Sequence, residues 1–113
     1  MLTKVLSILA EELPEYAEPG MCYPFANKFI RSLPKGVDDR AILVHGTVYN
    51  TLLDRSFPHA WVELDGKIYD NVFTEGIDKE RWEEFLVPSN TKTYTWHESV
   101  RRMLDTGHHG PWE

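Results

Sequence analysis

From Cys22 to Leu33 the apolar residues Cys22, Phe25, Ala26, Phe29, Ile30 and Leu33 recur at helical spacing and make one continuous stripe. The stripe predicts a helix that begins at the cysteine and turns its side chain toward a core. Pro24 fits the first turn, where amides have no intrahelical acceptor to lose. "PKG" then ends the helix. Upstream, Val5, Leu6, Leu9 and Leu13 predict a first helix over about Thr3 to Leu13, stopped by Pro14. "PEYAEPG" reads as the loop between the two, with Gly20 just ahead of the cysteine.

Beyond "VDDR" the period changes. "AILVHGTVY" is rich in β-branched residues and predicts a strand, with Gly46 marking a bulge or a close backbone approach. "NTLLDRSFP" reads as a connecting loop. "HAWVELDGKIYDNVF" predicts a β-hairpin, because Asp65 and Gly66 suit a two-residue type I′ turn. "DKERWEEFL" is a short polar helix with Trp82 and Phe85 inward, "TKTYTW" a last strand, "HESVRRML" a last helix and "DTGHHGPWE" an irregular tail. Helices followed by mainly antiparallel strands make an α+β pattern, read as one domain over residues 1–113.

Alternation along the hairpin puts His59, Trp61 and Glu63 on one face and Ala60, Val62 and Leu64 on the other. A two-residue turn pairs Leu64 with Lys67, Trp61 with Asp70 and His59 with Val72. Asp70 then lies diagonally beside His59, about 7–8 Å away between backbones, a gap that an imidazole and a carboxylate bridge. A one-residue slip would turn Asp70 to the wrong face.

Composition narrows the classes. The chain has 113 residues, enough for one core, and 42% of them are hydrophobic, which argues against disorder. No apolar run approaches the roughly 20 residues of a membrane span, and acidic residues follow the amino-terminal apolar patch at once, so neither a membrane nor a secretion leader is expected. A net charge of −6 offers no footprint for nucleic acid. With one cysteine there is no internal disulfide, and the reducing cytoplasm is the expected compartment. The oligomeric state is left open.

Alone, Cys22 on an apolar stripe reads as a core thiol. His59 and Asp70 on one face change that reading. A helix amino terminus and a neighbouring imidazolium both favour a thiolate, and a carboxylate orients the imidazole and stabilises its charge. The Cys22 backbone amide suits an oxyanion, and no second donor is identified. At this point "GMCYPFANKFI" followed by "HAWVELDGKIYD" resembles the transglutaminase-like branch of the papain-like cysteine enzymes, in a small bacterial or phage-type form. The resemblance covers about Gly20 to Val72. It implies a nucleophile helix packed on a small antiparallel sheet, with Cys22 as nucleophile, His59 as general base and acid, and Asp70 as orienting group. It further implies a peptidase or deamidase acting on a peptide or protein substrate without a cofactor.

Tyr23, Trp61 and Trp112 are the residues expected at the substrate, with Trp61 shielding the site. "GHHGPW" either folds back over it, Trp112 forming a wall, or packs on the surface. His45 reads as a hydrogen-bonded core residue or a surface one. His97, His108 and His109 match no zinc spacing, and no metal is expected. The small size sustains a second reading, a binding or assembly module that keeps the papain-like architecture without its chemistry.

Overall fold

The structure, a computed structural model, describes residues 21–112. The expected helix over Thr3 to Leu13 and the loop to Gly20 lie outside the described residues. The chain runs through helix α1 (Cys22–Ser32), a 3-10 turn at Asp38–Arg40, strands β1 (Ile42–Asn50), β2 (Arg55–Leu64), β3 (Lys67–Tyr69) and β4 (Ile77–Asp78), helix α2 (Lys79–Phe85), strand β5 (Leu86–Tyr94) and helix α3 (Trp96–Thr106). The strands form one sheet in the order β4-β3-β2-β1-β5, antiparallel at every pairing. The architecture is α+β.

Two strands are longer than their sequence suggests. Arg55 to Pro58, expected in a loop, extend β2 and pair with β1 as far as Asn50. The connection shrinks to four residues because the Asn50 Oδ1 accepts the amides of Leu52 and Leu53 at 2.9 and 3.0 Å, a side-chain turn that folds the chain back at once. β5 likewise starts directly after α2, at Leu86. Pro88 obscures this in the sequence, yet a proline is tolerated on an edge strand. Opposite Gly46, β5 carries one residue more than β1 does, with Asn90 at φ 51°, so the glycine marks a β-bulge. It also marks a close approach: a Cβ there would lie 3.0 Å from the Thr91 methyl and 3.1 Å from the Ser89 carbonyl.

The hairpin turn has φ 51° at Asp65 and 79° at Gly66, the type I′ signature, and Leu64 pairs with Lys67. The ladder stops at Val62 and Tyr69, however, so the expected pairs Trp61–Asp70 and His59–Val72 do not form. Asp70 leaves the sheet because its own carboxylate turns the chain: Oδ1 accepts the amides of Val72 at 3.0 Å and Phe73 at 2.7 Å.

Side-chain alternation divides the core into two layers. Ala60, Val62, Leu64 and Leu43 meet Cys22, Tyr23, Ala26 and Ile30 of α1, while Val44, Val48, Trp61 and Ile68 meet Trp82, Phe85 and Leu86. The buried side of α1 is rotated from the expected stripe. Cys22, Ala26 and Ile30 form its centre, and Tyr23 and Asn27 are more buried than Phe25 and Phe29. Phe29 stacks on Tyr69 of β3 at 4.5 Å between ring centroids and Tyr23 meets His45 of β1 at 4.9 Å, so the helix crosses three strands. Among the described residues no helix is long and apolar enough to cross a membrane.

Candidate active site

β3 ends opposite Val62, so along residues 55–61 β2 has β1 on one side and, among the described residues, no strand on the other. His59 stands on this open stretch. Its ring lies on the α2 side, stacked with Trp61 at 5.8 Å and Trp82 at 6.4 Å between centroids. Asp70 approaches from the turn after β3, and Cys22 approaches from the first turn of α1. The open edge lets groups from opposite layers meet.

The Nε2 of His59 donates to the Asp70 Oδ2 at 3.0 Å. The same oxygen accepts the Trp82 indole N–H at 3.1 Å, while Oδ1 holds the Val72 and Phe73 amides. Asp70 has no solvent exposure and still carries four hydrogen bonds. Burial acts to raise its pKa, but the His59 hydrogen bond and charge, the Phe73 amide and the Trp82 indole together hold it below the ordinary carboxylate value.

Cys22 is among the groups that act on the His59 ring. Burial alone would lower the imidazole pKa. Hydrogen bonds to Asp70 and Cys22, with the charges of both, outweigh it and push the value up to about 9. The ring is therefore cationic at neutral pH. Cys22 is 4% exposed. It opens an eleven-residue helix whose N-cap, Met21, makes no side-chain hydrogen bond. The Cys22 and Tyr23 amides have no intrahelical acceptor, Pro24 has no N–H, and the Phe25 amide is taken by the Met21 carbonyl at 3.3 Å.

The other expected residues divide. Trp61, 1% exposed, lies beneath His59 and against Trp82 at 4.8 Å, where it offers no surface to a substrate. Alternation puts it on the histidine's face, as expected, and α2 covers that face. Tyr23 is buried beside His45, and burial followed by the Cys22 charge pushes its pKa to about 12. Trp112 packs on His45 and on Tyr94, each at 4.9 Å between centroids. His45 is 6% exposed, and neither ring nitrogen has a hydrogen-bond partner among the described residues, unlike the hydrogen-bonded core histidine the sequence suggests. Burial lowers its pKa to about 4.

The sequence does not signal the Trp82–Asp70 bond, because the two are twelve residues apart and meet only when α2 docks. The Asp70 turn has a local signal in "DNVF", since an aspartate readily accepts amides two and three residues on. Among the described residues no three His, Cys, Asp or Glu side chains gather as metal ligands. A shallow groove of about 520 Å³, lined by Lys92, Tyr94, His97, Arg101 and neighbours, lies on the β5 edge, away from Asp70. No family model, no curated protein and no solved structure matches this chain.

Proposed function

We propose that the chain is a cysteine-dependent acyl-transfer enzyme of the papain-like, transglutaminase-like kind, hydrolysing an amide bond as a peptidase or deamidase. One observation carries the reading: the buried His59 ring donates through Nε2 to the buried Asp70 carboxylate, and Cys22 is among the groups that raise its pKa to about 9. In this reading Cys22 reacts as a thiolate, with His59 as the group that holds and delivers the proton.

The thiolate attacks the amide carbonyl carbon, and the carbonyl electron pair moves to oxygen, where the Cys22 and Tyr23 amides donate to it. As the carbonyl re-forms, the C–N bond breaks and the amine leaves with the proton from His59. The acyl group is now on sulfur and the imidazole is neutral. Water then gives a proton to His59 and attacks the thioester; collapse releases the acid and restores the thiolate and imidazolium. Asp70 keeps its charge throughout and holds the ring in place.

The burial of Cys22 favours a second reading, a binding or assembly module with an inert thiol. Alkylation by iodoacetamide separates the two. The enzyme reading expects Cys22 of the native protein to be alkylated, and His59→Ala to react more slowly at neutral pH. Reaction only after denaturation sinks the enzyme reading and leaves the module.

A further inference from the structure

His45 occupies an unusual position for a polar residue. The rings of Tyr23, Tyr94 and Trp112 surround it at 4.9, 5.2 and 4.9 Å between centroids, with none of its nitrogens engaged by a described residue. A buried polar group without a partner costs about 1–3 kcal/mol, and such groups in a native fold call for a physical account.

The carboxyl-terminal residues 107–112 form a strap over this place. Gly110, at φ 110°, lets the backbone close on His45, since a Cβ there would meet the ring Cε1 at 2.6 Å. The hydrogen bonds of the strap turn inward: the Trp112 indole donates to the His108 carbonyl at 2.9 Å, the Gly110 amide to the His108 Nδ1 at 3.1 Å, and the His108 amide to the Thr106 hydroxyl at 3.3 Å. Trp112 thus packs its ring against His45 and Tyr94, yet spends its one donor on its own strap.

We propose that the recess formed by Tyr23, His45 and Tyr94 is a binding site for an aromatic ring that carries a hydroxyl group, a phenol such as a tyrosine side chain of a peptide, and that Trp112 is its resident occupant in the unliganded protein. A neutral imidazole has one donor and one acceptor nitrogen, and a phenol can satisfy either, whereas an indole can only donate and a phenyl ring can do neither. A phenol replaces the stacking that Trp112 supplies and adds the hydrogen bond that Trp112 does not make. The strap moves aside with its internal hydrogen bonds from Trp112 and Gly110 to His108 kept. Tyr23 follows Cys22 directly, so the recess would receive a side chain of the substrate near the scissile carbonyl; that role rests on the enzyme reading, whereas binding itself does not.

The test titrates N-acetyl-tyrosinamide into the full chain labelled with 15N-histidine, reading the His45 ring resonances assigned by their loss in His45→Gln. Trp112→Ala empties the recess, and its midpoint should fall roughly tenfold below that of the unsubstituted chain. N-acetyl-phenylalaninamide should bind roughly fivefold more weakly than the tyrosine probe, the worth of one hydrogen bond. If Trp112→Ala does not fold, Trp112→Phe, a smaller ring on the same strap, should show a lower midpoint than the unsubstituted chain. Absence of a saturable His45 shift in the folded variant, or equal midpoints for the two probes, overturns the proposal. Cys22→Ala should leave binding unchanged, so an inert thiol with intact tyrosinamide binding removes the enzyme reading and keeps the recess.

Discussion

Asp70 shows how much one residue carries here. A carboxylate with no exposure must be compensated, and its two oxygens share four donors: an imidazole, an indole and two backbone amides. Asp70→Asn keeps the shape but removes the charge and presents an N–H₂ group to neighbours that are themselves donors. The ring pKa of His59, about 9 in the native protein, should then fall below its ordinary 6.5, because burial is left with less opposition. NMR titration of the His59 ring reads this directly, and an unchanged value would show that Asp70 does not sustain the charge. Folding stability should drop by on the order of 3 kcal/mol in a denaturant titration, the cost of leaving a buried pair half made. From the sequence, His59 and Asp70 could be placed together by alternation and a turn. That the carboxylate reaches the ring from outside the ladder, and is steadied by Trp82, could not be read there.

At the scale of elements, the site depends on where strands stop and bend. β3 ends three residues after the turn, and that early end opens the β2 edge on which His59 stands. On the other side of His59, Gly46 is its cross-strand partner and sits against the β5 bulge. Gly46→Val would put a branched side chain where the first added carbon already lies 3.0 Å from Thr91 and 3.1 Å from a backbone carbonyl. The bulge would have to shift, at about 1–3 kcal/mol, the usual cost of overpacking. Thermal unfolding should register the loss, and amide shifts should change at His59 as well as at Thr91. Shifts confined to β5 would show that the bulge does not help position the histidine. A glycine inside an apolar strand signals a bulge or a close approach in advance, and both occur. Which strand presses on it is decided by β5, whose first half is hidden by Pro88.

Across the whole molecule, two buried histidines set opposite limits on stability. The folded pKa of His59 is raised to about 9, so its contribution is complete below the unfolded value of 6.5 and is lost as pH rises through 9. The folded pKa of His45 is depressed to about 4, so its contribution is complete above 6.5 and is lost as pH falls through 4. Their sum peaks near pH 6.5, and Asp70, with its depressed pKa, steepens the loss only in more acid solution. The melting temperature measured from pH 4 to 9 should show this maximum. His45→Gln should flatten the acid limb and Asp70→Asn the alkaline one; limbs that keep their slopes in both variants would remove the two rings as the cause.

The sequence by itself determined the features that local chemistry dictates. The helix beginning at Cys22 follows from a 3.6-residue apolar period, the Asp65–Gly66 turn from residues that accept positive φ, and the two faces of β2 from alternation. The tertiary structure alone decided the features that depend on docking. α2 buried Trp61 beneath His59 and brought the Trp82 indole to Asp70, while the strap packed Trp112 on a histidine that has no hydrogen-bond partner among the described residues. Periodicity tells which way a side chain points, because the backbone repeats locally. What it meets depends on elements distant in sequence, and no local pattern encodes their arrival.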